Sequence, residues 1–185
     1  CVYMDFSKSL MEKQGHGDYE RLDLSLLPPL YLAYRVDLGK VSGAVFNDVR
    51  ARYEQGEPLV LKTLGRIAEI AKEGREALLA SDFEKLNALI DENFDQRTLI
   101  MRISEGNRQM IDTARRCGAS ASFTGSGGAI IGMYANDEML TRLIVEMRKI
   151  GARVFRPYIG PGYGEAKSTK RMTEEMTVEL LPEES

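Results

Sequence analysis

The stretch that decides the fold reads Ala121-Ser122-Phe123-Thr124-Gly125-Ser126-Gly127-Gly128-Ala129-Ile130-Ile131-Gly132-Met133-Tyr134. Residues 121–124 and 129–134 are short apolar runs, which are typical of β-strands. The four residues between them predict a tight turn, since glycine adopts positive φ angles without a steric penalty. The segment is therefore predicted to form a β-hairpin with a glycine-rich loop at its tip.

Apolar residues at helical spacing dominate before this hairpin and return after it. A buried strand is predicted at residues 30–36, and helices at residues 42–56 (capped by Ser42), 57–79, 82–101 (capped by Ser81 or Asp82), 107–117 and 137–151. The last strand, residues 154–158, is expected at a sheet edge because Pro157 has no N–H to donate. This order of elements is that of a ferredoxin-like (split βαβ) α+β domain with extra helices inserted in the first crossover. The helix at 57–79 is predicted to bury Leu61, Leu64, Ile67, Ile70 and Ala71.

The two ends of the chain differ from this central part. Val2–Phe6 predicts a short strand, and residues 13–20 predict a polar loop that contains the only histidine. Residues 162–185 hold six glutamates against three basic residues, which equals the net charge of −3 of the whole chain. We therefore expect three parts: residues 1–28, a domain at residues 29–161 and a charged tail.

Composition and charge exclude several classes of protein. With 43% apolar and 29% charged residues, the chain is globular rather than disordered. A net charge of −3 gives no general basic surface, so no nucleic-acid partner is expected. No apolar run approaches the roughly 18 residues of a membrane span, so no membrane partner is expected. Two cysteines give no disulfide framework, which favours a cytoplasmic location.

Three groups of residues are candidates for chemistry. The loop Gly125–Gly128 can turn backbone N–H groups toward an anion, although the same glycines are also typical of a plain hairpin. Asp5 follows apolar residues, where a carboxylate is costly to bury unless it is paired or functional; the alternative is a surface aspartate at a strand end. Asn93 and Arg97 share one helix face. One interpretation is that the Arg97 guanidinium binds the carboxylate of a sugar there, and the alternative is an ordinary solvated helix surface. No set of residues has the spacing of metal ligands, so no metal site is predicted.

These residues resemble the GHMP kinases, a superfamily named after galactokinase, homoserine kinase, mevalonate kinase and phosphomevalonate kinase. Residues 123–131, with the helix end at residues 114–119, resemble the third motif of the superfamily. The segments Val2–Lys8 and Asp23–Leu30 are similar to one of its branches, the glucuronokinases. The resemblance covers residues 1–161.

The resemblance implies transfer of the γ-phosphoryl group of ATP to the anomeric hydroxyl of a sugar acid, glucuronate, with Mg²⁺. It also implies that Asp5 is the catalytic aspartate, although Phe6 stands where galactokinases have Gln. The residues Gly125, Ser126, Gly127 and Gly128 match the motif whose backbone supports the phosphate loop. Lys8, Asn93 and Arg97 are the candidate contacts to the sugar, with Arg97 expected at the sugar carboxylate.

Two earlier motifs of the superfamily are absent from the 185 residues, one near the N-terminus and one a Pro-x-x-x-Gly-Leu-Gly-Ser-Ser-Ala loop that holds the phosphates. The chain also begins at Cys1 without an initiator methionine. We therefore expect it to be the C-terminal half of such a kinase, with the N-terminal half as partner, and to be inactive alone. The alternatives are another sugar or sugar-acid kinase of the superfamily, and a non-catalytic domain for ligand binding or assembly.

Overall fold

The computed structural model describes residues 1–38 and 43–159. Its strands are β1 (Val2–Asp5), β2 (Asp18–Arg21), β3 (Leu30–Tyr34), β4 (Ser122–Phe123), β5 (Ala129–Met133) and β6 (Arg153–Phe155). Its α-helices are α1 (Lys8–Gln14), α2 (Gly43–Glu54), α3 (Pro58–Leu79), α4 (Phe83–Ile100), α5 (Glu105–Arg116) and α6 (Asp137–Lys149). The predicted cap at Ser42 and the predicted tail at residues 162–185 lie outside the described residues.

Four strands form one antiparallel sheet in the order β4-β5-β3-β6. Along the chain, the elements of this domain follow in the order β3, α2 to α5, β4, β5, α6 and β6. With α2 to α5 counted as one crossover, this is the βαββαβ order of a ferredoxin-like fold. The glycine-rich loop joins β4 to β5. The predicted α+β fold, with extra helices in the first crossover and the last strand at a sheet edge, is confirmed.

The main core lies between this sheet and the helices α4, α5 and α6. The alternation of side chains along β3 turns Tyr31 and Ala33 into the core, where both are fully buried. The rings of Phe94 on α4 and Phe123 on β4 meet edge to face, with their centroids 5.1 Å apart. Helices α5 and α6 add the buried residues Met110, Ile111, Ala114, Leu140, Leu143 and Met147. This packing fixes the position of the hairpin relative to three helices.

Helices α3 and α4 form a hairpin of long helices. Asp82 caps α4 by accepting the N–H of Lys85 at 3.0 Å, as predicted. The predicted buried face of α3 is partly wrong, because Leu61 is 42% exposed and Ala71 is exposed. The residues that α3 buries are Val60, Thr63, Ile70, Ala77 and Leu78. They form a narrow seam that packs mainly against α4, and Val60 also clusters with Val49 of α2 and Ile100 of α4.

The N-terminal residues form a separate two-stranded ribbon of β1 and β2. The polar loop predicted at residues 13–20 is wrong, because α1 continues to Gln14 and β2 begins at Asp18. All four residues of β2 are exposed, so β2 lacks the alternation by which a strand is recognised. Arg75 on α3 attaches the ribbon by an ion pair of 2.6 Å with Glu20.

Candidate functional site

The glycine loop at the tip of the β4–β5 hairpin is held at both ends by helix side chains. At one end, the Gly125 carbonyl accepts a hydrogen bond from Arg97 Nη1 at 3.0 Å. At the other end, the Gly128 N–H donates to Asn107 Oδ1 at 2.7 Å. The Gly128 carbonyl accepts the N–H of Arg35 at 2.9 Å. The loop is thus anchored to α4, to α5 and to the residue after β3, in addition to the bonds within the hairpin.

Two glycines of the loop have backbone angles that other residues rarely adopt. The φ angle is +130° at Gly127 and +80° at Gly128. A Cβ atom at Gly127 would also lie 2.7 Å from Asn107 Nδ2, which is closer than real contacts allow. A Cβ at Gly125 would meet nothing within 4 Å. Glycine is therefore required at position 127 both by its conformation and by the close approach of Asn107.

Arg97 and Asn93 lie beside the loop on α4, on one face as their spacing predicts. Arg97 Nε donates to Asn93 Oδ1 at 3.0 Å, and the same oxygen accepts the hydroxyl of Ser122 at 2.9 Å. Burial lowers the pKa of Arg97, because desolvation penalises the charged form. Within the part of the chain that the structure describes, Arg97 forms no ion pair. A half-buried guanidinium without a carboxylate partner is suited to an anionic ligand.

The carboxylates around Arg97 on α4 bind other cations. Arg115 of α5 forms ion pairs with Asp91 at 3.1 Å and with Asp95 at 2.9 Å. Arg66 of α3 binds Glu92 at 2.6 Å. Among residues 1–38 and 43–159, no carboxylate therefore forms an ion pair with Arg97 beside the loop.

Asn107 belongs to this site, although sequence reasoning did not select it. It lies on the same face of α5 as Met110, Ile111 and Ala114, and only 9% of its surface is exposed. A polar residue in line with an apolar helix face is the signal that could have identified it. Its partner in the loop, Gly128, is 21 positions away in sequence, so the spacing alone could not reveal the contact.

Asp5 ends strand β1 on the ribbon. Its Oδ1 accepts the N–H of Ser7 at 2.7 Å, and its neighbour across the ribbon is Asp18. The apolar residues beside it are open to solvent, with Met4 54% and Phe6 52% exposed. The described residues therefore do not form a dry cleft around the Asp5 carboxylate.

The ribbon and the glycine loop contact the α3–α4 hairpin at different positions along its helix axes. Arg75, which attaches the ribbon, follows Gly74, and a Cβ at Gly74 would lie 3.7 Å from Leu86 of α4. Arg97 comes eleven residues after Leu86 on the same helix, which corresponds to about 16 Å along its axis. The hydrogen bond that the Asp5 carboxylate accepts comes from the neighbouring Ser7 and not from a residue of the glycine loop.

Lys8 is also apart from the loop, at the first position of α1. Its side chain is 87% exposed and lies 3.6 Å from Glu12 in an ion pair along the helix. The structure thus brings Asn93 and Arg97 to the glycine loop and leaves Asp5 and Lys8 on the ribbon side. In residues 1–38 and 43–159, no group of three or more His, Cys, Asp or Glu side chains could hold a metal ion. The same residues contain no helix with the length and apolar character of a membrane span.

The family model described as GHMP kinases C terminal matches residues 75–153. These residues include α4, α5, the β4–β5 hairpin with its glycine loop, and α6. Residues 75–153 are a GHMP kinase C-terminal domain. The third motif, on which the resemblance was based, lies inside this GHMP domain.

Two curated proteins of Arabidopsis thaliana are similar over a longer stretch. Glucuronokinase 1 and Probable glucuronokinase 2 are each 40% identical to this chain over 154 residues. The matched region is 81% of this chain and 42% of each relative. The chain therefore spans about two fifths of the length of the curated relatives it matches, and the likeness extends beyond the GHMP domain.

Solved structures of GHMP kinases share the fold. Mevalonate kinase of L. major in complex with R-mevalonate has a TM-score of 0.65 at 19% identity, and the match covers 78% of this chain and 46% of that one. Galactokinase of Lactococcus lactis complexed with galactose has a TM-score of 0.61 at 15% identity, covering 78% and 49%. At these identities the likeness shows the fold alone. The predicted fold class is confirmed, and the predicted resemblance to the GHMP kinases is confirmed for residues 75–153 by the family model.

Proposed function

We propose that this chain is the C-terminal part of an ATP-dependent sugar kinase that converts glucuronate and ATP to glucuronate 1-phosphate and ADP. The observation that carries the proposal is the 40% identity over 154 residues to two glucuronokinases. The GHMP domain at residues 75–153 supports the kinase class independently of that identity.

The glycine loop is the proposed support for the nucleotide phosphates. Backbone N–H groups in a turn of this kind, together with arginine, are the usual donors to phosphate oxygens. The open space next to Gly125 and the uncompensated charge of Arg97 fit an anion at the loop. The loop residues in this role are Gly125, Ser126, Gly127 and Gly128.

Arg97 is the proposed partner of the sugar carboxylate. Its Nε and Nη1 are bonded to Asn93 and Gly125, while no hydrogen bond of Nη2 occurs in the described residues. Nη2 can therefore donate to a ligand without breaking either contact. Asn93 orients the guanidinium, and Lys8 is the proposed second cation for the sugar.

Asp5 is the proposed catalytic base. Its carboxylate accepts the proton of the anomeric hydroxyl, the sugar oxygen attacks the γ-phosphorus, and the bond from that phosphorus to the ADP oxygen breaks. Mg²⁺, entering with the nucleotide, neutralises charge on the phosphates when bound. Because Asp5 lies on the ribbon and the glycine loop lies farther along α4, the proposal requires that the assembled enzyme brings the two together across the bound substrates.

A further part of the kinase, carrying the phosphate loop, is the proposed partner of this chain. The chain spans 42% of each glucuronokinase it matches, and the sequence contains no Gly-Leu-Gly-Ser-Ser loop. Val2 and Met4 of β1 and Phe6 just after it are 45–54% exposed and offer a surface for that part. A cytoplasmic location is proposed because Cys1 and Cys117 are both free thiols.

The test is an assay of ADP release by the complete polypeptide that contains these 185 residues. We expect release with glucuronate, ATP and Mg²⁺, with a sugar 1-phosphate identified by phosphorus NMR, and none from the 185-residue chain alone. Release with neutral hexoses but not with glucuronate would favour another sugar kinase of the superfamily. If the complete polypeptide releases no ADP with any sugar, the kinase proposal fails and a non-catalytic domain is favoured.

A further inference from the structure

Asn107 is a buried amide on the otherwise apolar inner face of α5. Met110, Ile111 and Ala114 on the same face are fully buried, and Asn107 is 9% exposed. An amide at such a position destabilises the fold unless both of its ends are hydrogen-bonded. Its contacts therefore indicate why a polar residue occupies this position.

Both ends of the Asn107 amide are bonded in a way that fixes its orientation. Oδ1 accepts the buried N–H of Gly128 at 2.7 Å, and Nδ2 donates to the hydroxyl of Ser104 at 2.9 Å. Ser104 is the N-cap residue of α5, yet its side chain makes no capping hydrogen bond to the helix. The hydroxyl of Ser104 thus accepts a hydrogen bond from Asn107 instead of capping the helix. This contact leaves Oδ1 of Asn107 directed at the loop.

The shape of the loop is fitted to this amide. A Cβ at Gly127 would lie 2.7 Å from Nδ2, so the backbone at position 127 passes directly against the Asn107 side chain. The hydrogen bond to Gly128 then sets the end of the loop where both glycines have positive φ angles. Asn107 contacts two successive loop residues, one by packing and one by a hydrogen bond.

We propose that Asn107 is a positioning residue for the nucleotide: it holds the Gly125–Gly128 loop in its phosphate-binding conformation without touching the nucleotide. This inference rests on the proposed kinase function. Without the amide, the Gly128 N–H would be buried and unpaired or the loop would rearrange, and either change weakens phosphate binding at the loop.

The test compares three variants of the complete polypeptide. Asn107→Ala removes the acceptor, and Asn107→Asp keeps an acceptor oxygen of the same size. The matched control is Asn47→Ala, on an exposed position of α2. Hydrogen exchange of the peptide covering residues 122–133 reports on the loop, and the KM values for ATP and for the sugar report on function.

We expect Asn107→Ala to accelerate exchange in this peptide and to raise the KM for ATP by about tenfold, with the sugar KM unchanged. Asn107→Asp retains slow exchange, and Asn47→Ala changes neither measurement. If Asn107→Ala leaves the hydrogen-exchange rate of this peptide unchanged, the hydrogen bond between Gly128 and Asn107 does not restrain the loop, and the proposal is overturned. Faster exchange with an unchanged KM for ATP, or equal increases of both KM values, would overturn the positioning role. If the wild-type polypeptide phosphorylates no sugar, the proposed function fails, while the exchange comparison still decides whether Asn107 holds the loop.

Discussion

Charge compensation separates Arg97 from Arg66 and Arg115, the two arginines that bind carboxylates of α4. Arg66 and Arg115 bind carboxylates of α4, whereas Arg97 is bonded to neutral oxygens of Asn93 and Gly125. Its burial lowers its pKa, and no charged partner in the described part of the chain opposes the effect. An arginine that is half-buried and has no carboxylate partner gains more free energy on binding an anion than an arginine that is already paired.

Replacing Arg97 by Met in the complete polypeptide removes this cation and keeps a side chain of similar length. We expect the binding of glucuronate, measured by calorimetry, to weaken by about 1.5–3 kcal/mol, the value of a hydrogen bond to a charged group. Binding of the corresponding neutral sugar should hardly change. The control Arg148→Met, on an exposed position of α6, should leave both affinities unchanged. Equal losses for both sugars would indicate that Arg97 acts only by holding Gly125.

Asp5 and its cross-strand neighbour Asp18 provide a matched pair for testing the proposed base. We expect Asp5→Asn to lower kcat by roughly 10²–10⁴-fold, because an amide cannot accept the proton of the sugar hydroxyl. The thermal midpoint should remain near that of the wild type, since the Asn side-chain oxygen can still accept the N–H of Ser7. Asp18→Asn should retain wild-type kcat. Near-normal turnover in Asp5→Asn would remove it from the mechanism.

Among the structural elements, α4 connects the site to the core. The Asp91 carboxylate accepts the N–H of Ala121 at 2.8 Å and Nε of Arg115 at 3.1 Å, so it joins α4 to α5 and to the residue before β4. Asp95, one turn later, reaches Arg115 alone and is 57% exposed. The two aspartates share a partner but differ in burial and in the number of contacts.

This difference predicts unequal effects on stability. Asp91→Ala leaves the N–H of Ala121 and Nε of Arg115 without their acceptor, so we expect the free energy of unfolding in urea to fall by about 2 kcal/mol. Asp95→Ala removes one solvent-exposed ion pair and should cost less than about 1 kcal/mol. Similar losses for the two variants would show that the exposed pair with Arg115, and not the contact with Ala121, joins the elements.

For the molecule as a whole, the two-stranded ribbon presents an apolar surface that the other described residues leave exposed. Val2 and Met4 alternate along β1 and therefore point to one side of the ribbon. Phe6, just after the strand, packs edge to face against Tyr19, the cross-strand neighbour of Met4. An isolated two-stranded ribbon is marginally stable in water, so this surface favours contact with further chain. That contact is the proposed role of residues 1–28 in the complete kinase.

Met4→Glu tests this contact in two contexts. In the 185-residue chain Met4 is 54% exposed, so we expect the substitution to change the unfolding temperature little. In the complete polypeptide the same glutamate would be buried against apolar residues, and the unfolding temperature should fall clearly. Thr141→Glu, on an exposed position of α6, is the control for added charge. An equal, small effect in both contexts would show that the ribbon surface stays uncovered.

The sequence by itself determined the secondary structure of the central part and the order of its strands and helices. Helices α5 and α6 and the β4–β5 hairpin were predictable because periodicity, caps, glycine and proline act within a few residues along the chain. The family resemblance rests on the same kind of local signal, namely the motif around Gly125–Gly128. The position of Arg97 on one helix face with Asn93 was predictable for the same reason.

Tertiary structure alone decided which faces and side chains meet. The seam of α3 depends on α4, and strand β2 exists through pairing with β1, since its own residues are all exposed. The contact of Asn107 with Gly128 and the absence of a partner charge for Arg97 depend on which helices reach the loop. Such contacts join residues 21 to 28 positions apart, and local spacing carries no information about them. The sequence thus placed the glycine loop, and the packing of α4 and α5 decided what holds it.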